Sequence, residues 1–598
     1  MTGVRDFLLE LRRRKVFRVA GLYVVASWVG VQVASLVFPA INIADAAIRY
    51  VWIGIIFAFP LTVMFAWLYD ITPDGIVRTP PVDNRSDIDL GLRRTDYLIL
   101  TVLLVVGVVM TYQLGDEIRG FETNPSVPVS RSILNADTIA ILPLENVSND
   151  VSQQFFVDGM HDALISVLSG ISALKVISRS SVRHFADTDK SMLEIGRDLG
   201  AATIIEGSVF RYDDDIRISV QLIDAASGQL KWANSYDRKL REVLRLQSEL
   251  ARSIADEIQV LLTPQESTYL ASTDQVMPDA YESYLKGRFH WYLFTPKDLN
   301  IAIEYFQSAI DADPGYALAY VGLADVLATQ PHIGLMPTTE VFPQAIDLVE
   351  KALELDPLLA EAHDLSARIK FVWNFDWLGA DRGFRESIRL KASHPDARIV
   401  YSQFLGIQKR WGESLEQVQA GLDLDPFNDW FRVELGARLS WMGQYDEALD
   451  EYLRIAEDQP NWFLIHKHLW EIYFYRGELK RALEAAKTYY ELSGETKLAE
   501  IAAGYEGQIE FSAAMRALVI EMLAAMPESY VSEMELARIF AFSGDIEHTL
   551  DWLERAYMNK DTQLVYSVAN PLFALVWDHP RFAELRRKMN LPDPDANR

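Results

Sequence analysis

Three long apolar runs dominate the first 114 positions. Val19–Phe38 has 20 residues without a charge, and Tyr50–Tyr69 another 20 with Pro60 inside. Tyr97–Leu114 has 18, interrupted only by Thr101, Thr111, Tyr112 and Gln113. A bilayer core of about 30 Å takes about 20 helical residues to cross. The pattern therefore predicts three transmembrane helices, 19–38, 50–69 and 97–114, in a membrane module 19–114 behind a basic leader, 1–18. Trp52 and Trp67, with Tyr50 and Tyr69, stand near the ends of the second run, where aromatic belts form. The first run exceeds the apolar stretch of a cleaved signal, and no A-x-A site follows it, so it reads as an anchor that is retained. Ala26, Gly30 and Ala34 line one face of that run, a spacing that lets helices approach closely, within the module or in a homo-oligomer.

Beyond a Gly/Pro/Asn/Ser-rich linker, 115–136, the period changes. Asp137–Val147 is a β-branched, apolar run, and Val151–Ser169 carries apolar residues at helical spacing. Lys175–Ser178 reads as a short strand. Ser191–Leu199 reads as a helix opened by a capping box of Ser191 and Glu194. Ala202–Tyr212 and Ile216–Asp224 are strands joined through the acidic turn Asp213–Asp215, a hairpin. Leu230–Tyr236 is a further strand and Leu240–Leu262 a long amphipathic helix. The order predicts a compact α/β domain with a mixed sheet over 137–262.

After a second linker, 263–279, prolines recur at Pro314, Pro357, Pro395, Pro426 and Pro460, a spacing of 31 to 43 residues that suits repeated helix pairs. In Asn428–Pro460, Leu435, Gly436, Gly443, Tyr445, Ala448, Tyr452 and Pro460 fall where two antiparallel helices need small contacts, an aromatic filler and a stop. Each pair leaves an apolar face that its neighbour must cover, which predicts a solenoid over 280–561 and a C-terminal cap over 562–598.

These residues also carry resemblances. The blocks "IAILPLENVSND", "EIGRDLGAATIIEGSVFR" and "RISVQLIDAASGQLKWANSYDR" resemble the TolB-amino-terminal-like domains of bacterial envelope proteins. That resemblance implies an α/β fold similar to an anticodon-binding domain and a role in contacting other proteins. The repeats resemble tetratricopeptide (TPR) repeats, and "LRRRKVFRVAGLYVVASWVGVQVASLVFPA" resembles an anchor preceding such arrangements. The expected fold class is thus multidomain: a three-helix transmembrane anchor, a TolB-N-like α/β domain and an all-α TPR solenoid.

Charge refines the picture. The chain of 598 residues has 57 Lys+Arg against 84 Asp+Glu, a net −27. Residues 1–96 hold 11 basic and 9 acidic residues, a net +2, leaving −29 for the remainder. Such acidity argues against nucleic acid as a partner. Ten Lys/Arg lie in the leader and second loop against three in the segments of the other side, which by the positive-inside rule puts the amino terminus in the cytoplasm. Everything beyond about residue 115 then faces the periplasm of a bacterial inner membrane. The chain has no cysteine, which excludes disulfides, thiolate-bound metals and thiol catalysis.

Neither phosphate-binding, nucleophile-elbow nor HExxH motifs occur. His466 and His468 stand two apart, on different faces of a helix. The expectation is a protein without catalytic, cofactor or metal sites: a scaffold binding proteins or peptides of the cell envelope, with the bilayer held through the three helices. The alternative is a sensor that relays such binding to the cytoplasm. By repeat position Asp325 and Trp441 face the groove, with Tyr284 and Arg288 in the first repeat as further candidates. Aromatic and arginine anchors are the usual hot spots of interfaces.

Overall fold

The computed structural model describes residues 135–591 apart from 149, 151–152, 187, 273–275, 334, 506–509 and 527–530. Nearer the amino terminus it describes Tyr23, Ser27, Thr62, Tyr69–Thr72 and Gly75–Arg78. The chain divides into two compact units, Met1–Pro128 and Val129–Arg598. In the first, strands β1 (Tyr69–Thr72) and β2 (Gly75–Arg78) form an antiparallel hairpin. Among the described residues no helix is long and apolar enough to cross a membrane. This overturns the three-helix transmembrane anchor and the bilayer contact made through it. An apolar run is necessary for a span, but a span also needs an unbroken helix of about 20 residues. Tyr69, the end of the second expected span, begins a strand instead. Most of 19–38, 50–69 and 97–114, with Ala26, Gly30 and Ala34, lies outside the described residues.

The second unit opens with a mixed sheet. Its strands are β3 (Asn135–Ile141), β4 (Glu145–Asn146), β5 (Lys175–Val176), β6 (Ala201–Tyr212), β7 (Asp215–Asp224) and β8 (Leu230–Lys239). They run in the order β5-β3-β6-β7-β8, with β4 on β6 beyond the end of β3. Pairing is parallel for β5, β3 and β4 and antiparallel for β6, β7 and β8. Pro143, which has no N–H to give, stands where β3 yields to β4. On β7, Ile216, Ile218, Val220 and Leu222 point into the core while Arg217 and Gln221 face solvent, the period of a half-covered strand.

Helices α1 (Gln154–Ser169) and α4 (Val243–Glu257) cover one face, where Phe156, Met160, Leu164, Leu246, Leu250 and Ile254 meet Ile218 and Val220. The other face is covered only in part, by α2 (Arg179–Arg183) and α3 (Met192–Leu199) over Ile177, Ile204 and Ala225. The capping box on α3 is complete: Ser191 Oγ accepts from the Glu194 N–H, and the Glu194 carboxylate accepts from the Ser191 N–H at 2.8 Å. Ser191→Ala is expected to remove about 1 kcal/mol of helix stability, seen as faster amide exchange in the first turn of α3.

Residues 263–279, expected as a linker, hold helix α5 (Pro264–Ser272). Thr263 and Glu266 cap it reciprocally: the Thr263 N–H donates to the Glu266 carboxylate (2.6 Å) and the Glu266 N–H to Thr263 Oγ1 (3.2 Å). Its polar composition hides it from a reading of hydrophobic period.

Eight antiparallel helix pairs follow. They are α6 (Pro278–Leu293) with α7 (Pro296–Ala312), α8 (Ala317–Thr329) with α9 (Thr338–Leu355), α10 (Ala360–Ile369) with α11 (Trp377–Leu390), and α12 (Pro395–Ile407) with α13 (Trp411–Leu424). The second half comprises α14 (Asp429–Trp441) with α15 (Tyr445–Asp458), α16 (Phe463–Tyr475) with α17 (Leu479–Leu492), α18 (Thr496–Ala503) with α19 (Phe511–Ala525), and α20 (Glu533–Ser543) with α21 (Ile546–Met558). This is a TPR-like solenoid, and its small-residue positions have a physical reason. A Cβ on Gly322 would stand 2.5 Å from the Phe306 ring, and one on Gly436 2.4 Å from Tyr452. Glycine there lets each aromatic fill the space between helices.

First helices pack on successive first helices (α6 on α8, α8 on α10, α12 on α14, α14 on α16) more closely than the second helices of these repeats pack on one another. The array therefore curves with its first helices inside. It curves far enough for the C-terminal helix α22 (Thr562–Ser567) to reach the turns after α8 and α10 and the side of α12. Past α22, a short 3-10 segment leads to α23 (Pro580–Lys588). The Trp377 indole donates to the Met589 carbonyl at 2.8 Å, and Leu564, Val565 and Phe573 join the core of the array.

The α/β domain is gripped by this array in two places. Its core is continuous with the first two repeats: Tyr281, Leu285, Phe306 and Leu323 belong to the same apolar cluster as Met160 and Leu250. At its β5 edge, the Val176 N–H donates to Ser393 Oγ (3.0 Å), which donates on to the Leu174 carbonyl (3.1 Å). The Ser178 N–H donates to the Leu424 carbonyl (2.8 Å). A sheet edge left open invites pairing with foreign strands, and here the array covers it.

Candidate functional site

The clasp and the inner wall of the array meet at the segment Ser178–Ser181. Ser178 caps α2, accepting from the Ser181 N–H. The hydroxyls of Ser178, Ser180 and Ser181 all donate to the Asp425 carboxylate, from Ser180 at 2.7 Å and Ser181 at 2.6 Å, and Asn428 adds an amide donor at 2.8 Å. The Phe427 N–H returns to Ser181 Oγ (3.0 Å), and its ring stacks on His184 with centroids 5.1 Å apart. Asp425 is 2% exposed. A buried carboxylate is tolerated because it is this well supplied with donors.

Arg179, between these serines, points the other way. It pairs with Asp162 (2.9 Å) and Asp158 (3.5 Å) on α1 and lies 4.2 Å from the centroid of Tyr292 on α6. Arg288 lies 4.7 Å from the same ring and bonds its hydroxyl. Tyr292 thus has two guanidiniums on it, a cation–π arrangement that joins the α/β domain to the first repeat.

Along the inner wall the charges continue. Arg368 on α10 pairs with Asp325 on α8 (3.2 Å) and with Asp364 one turn away (3.0 Å). Arg368 keeps 28% and Asp325 17% of its side-chain surface, so solvent reaches the cluster, whereas Asp364 keeps 1%. Burial pushes the Asp364 carboxyl up to about 6 against the pull of Arg368, with the negative charges of Asp396 and Asp325 adding to the rise. Asp396, in the first turn of α12, has an exposed side chain, and the crowded wall around it shifts its carboxyl upward. Burial, and then Arg368, lower His332 to about 4. The His332 ring is 6.0 Å from that of Tyr566 on α22. Asp364 Oδ1 and Arg368 Nε are buried and make no hydrogen bond among the described residues, while Asp325 Oδ1 is held by Arg368.

Of the candidates named from sequence, Tyr284, Arg288 and Asp325 are brought into this one electrostatic neighbourhood: Arg288 feels Tyr284 and Asp325 across the wall. Tyr284 itself packs edge-on to Tyr316 at 5.2 Å. Trp441 lies apart, at the end of α14, with the Arg438 guanidinium 4.5 Å from its ring. Arg179, Tyr292, Asp364, Arg368 and Asp396 are additions from the structure. Arg368 had a signal: it follows Pro357 by the same eleven residues that separate Asp325 from Pro314. Arg179 had none, because its partners are brought to it by folding. Among the described residues no group of three or more His, Asp or Glu is placed to hold a metal ion.

Residues 135–253 match the family model of the HilA/YgeH-like transcriptional regulator, second domain. The chain is 31% identical over 244 residues to putative adenylate cyclase 3 of Rhizobium meliloti, covering 40% of each protein. It is 22% identical over 330 residues to the transcriptional regulator HilA of Salmonella typhimurium, covering 54% of this chain and 56% of that one. The chain thus spans about half or less of the length of these curated relatives. A solved tetratricopeptide repeat protein from Parabacteroides merdae is 15% identical, with a TM-score of 0.30 over 44% of this chain and 99% of its own.

Proposed function

We propose that the chain is a non-catalytic protein–protein interaction scaffold in which the charged inner wall of the array receives a polypeptide of the cell envelope. The observation that supports this most is the Arg288–Asp325–Arg368–Asp364–Asp396 cluster: charged groups on successive first helices, several of them reached by solvent. Polar groups held on a rigid apolar scaffold orient a partner, while aromatic neighbours such as Tyr292 supply contact area. The regulator-type match of residues 135–253 supports a non-catalytic reading, and the name of the cyclase relative is the opposing hint. A photo-crosslinking residue in place of Asp325 should capture partner at least tenfold more than one in place of Lys351 on α9. Equal capture from both positions would sink the groove as the binding surface.

A location of the array outside the cytoplasm is part of the same proposal and rests on the absence of cysteine, which suits an oxidising compartment. A reporter fused to the C-terminus tests it, and a cytoplasmic signal counts against it. A second reading, a sensory module, is favoured by one observation: parts of the chain are similar to proteins named for cyclase and transcriptional outputs. Relay through the clasp requires amide protection at Ser178–Ser181 to change on partner binding. Unchanged protection leaves the scaffold alone.

A further inference from the structure

The half-covered sheet of the α/β domain contains a second site, independent of the inner wall. Where the cover by α2 and α3 stops, a cavity of about 360 Å³ opens between the sheet and the segment following α2. Its floor is Glu206, Gly207 and Ser208 of β6 with Ser219 and Gln221 of β7, and its wall includes Phe185, Met192 and Ile195. Ile204 is buried under α3, and two residues further along the same face Glu206 emerges at the edge of that cover. On the β3 side its neighbours are Leu142 and Pro143, and Pro143 has no N–H to offer.

Glu206 is half-buried, and among the described residues it has neither a hydrogen-bond donor nor a counter-ion. Burial alone accounts for the upward shift of its carboxyl, with no nearby charge contributing. Lys190, the one cation on the rim among the described residues, is engaged elsewhere: it pairs with Asp198 at 2.7 Å and sits 5.5 Å from the centroid of the Phe185 ring. Ser219 is likewise occupied, with its hydroxyl 3.0 Å from that of Ser235. A second carboxylate, Glu145, stands at the exposed end of the cavity. A partly desolvated carboxylate with no partner is costly in a merely structural role. Set in a largely polar cavity with one apolar and aromatic wall, it offers a cation a counter-ion and the stem of that cation a surface to pack on.

We propose that this cavity binds an organic cation, an ammonium or guanidinium group carried on an apolar stem, with Glu206 as its counter-ion and Phe185, Met192 and Ile195 around the stem. Ser208 and Gln221 supply further oxygen acceptors. The stem and charge are equally those of a free amine and of a basic side chain in a peptide. The cavity is large enough for either and lies on an exposed sheet face that an extended peptide can follow.

Calorimetric titration of the full chain tests the site with phenethylamine, with the blocked tripeptide acetyl-Ala-Arg-Ala-amide, and with 2-phenylethanol as the neutral counterpart of the amine. At least one cationic probe should bind ten times or more tightly than 2-phenylethanol. Binding of the amine points to a small-molecule ligand, and binding of the tripeptide alone to a peptide partner. Glu206→Gln, nearly isosteric, should weaken that binding at least tenfold. Its unliganded melting temperature should be no lower than that of the native chain, because no partner is lost. Affinity should fall as the pH drops and Glu206 takes up a proton, beginning above the usual carboxylate range. Failure of both cationic probes, equal binding of 2-phenylethanol, unchanged affinity in Glu206→Gln, or a lower melting temperature of that variant would each overturn the proposal.

Discussion

Replacement of Asp425 by alanine is expected to cost about 3–5 kcal/mol of stability at the junction of the α/β domain and the array. Its carboxylate collects the hydroxyls of Ser178, Ser180 and Ser181 and the Asn428 amide. Hydrogen bonds to a charged group contribute about 1.5–3 kcal/mol each, and deletion strands several buried donors at once. The effect should be local. The β5 edge, released from Ser393 and Leu424, should exchange its amide protons faster and become a site of limited proteolysis, while the later repeats α16 to α21 keep their protection. Asp425→Asn, which retains two acceptor lone pairs and the volume, should lose about half as much. A uniform loss of protection along the whole chain would mean that the contact is one of many equal ones and not a clasp.

The second large effect is expected at Arg538. It is 4% exposed and pairs with Glu535 (2.6 Å) on its own helix and Glu471 (2.7 Å) on α16, while Lys467 approaches Glu535 at 3.3 Å. Its guanidinium also lies 5.9 Å from the Trp470 centroid. Arg538→Ala leaves two carboxylates without their main counter-ion, which costs about 3–5 kcal/mol, measured as a shift in the urea midpoint of the C-terminal repeats. The pH dependence gives an independent reading. Burial alone would raise the Glu535 carboxyl, but Arg538 and Lys467 outweigh it and hold it at about 2, below the ordinary glutamate value of 4.5. A depressed carboxylate contributes stability that is complete above its unfolded value and is lost as the pH falls through its folded one. The native chain should therefore lose this contribution between about pH 4.5 and 2. In Arg538→Ala the loss should begin at higher pH. An unchanged acid limb would show that Lys467 alone sets the ionisation. Arg538→Met with Glu535→Gln and Glu471→Gln should recover most of the stability, since apolar or neutral replacements of a whole buried ionic group are often well tolerated.

Local features were legible where a few adjacent residues decide them. The capping box at Ser191 and Glu194 and the hairpin through Asp213, which adopts φ +54°, needed only short-range chemistry. The repeats were legible because proline, glycine and aromatic residues at fixed spacing are demanded by the close approach of two helices, as Gly322 against Phe306 and Gly436 against Tyr452 show. Helix α2 was not legible: five residues, Arg179–Arg183, are too few to display a period. The long apolar runs led to expected spans because hydropathy records the preference of side chains for an apolar surrounding and says nothing of which backbone conformation continues through them.

The sequence by itself determined the mixed α/β domain, the TPR-like array and the net acidity of everything after residue 96, since these follow from periodicity, turn chemistry and counting. Repeat register also pointed to Asp325 and Trp441, with Tyr284 and Arg288 as further candidates, because register is a local property repeated along the chain. Only the tertiary structure decided that Ser178–Ser181 meets Asp425 across about 245 residues of chain, that α22 returns to the turns after α8 and α10, and that Glu206 stands at the edge of a half-covered sheet without a partner among the described residues. Those outcomes depend on the curvature of the solenoid. Curvature is the accumulated sum of small rotations between neighbouring repeats, and no single residue or spacing encodes it.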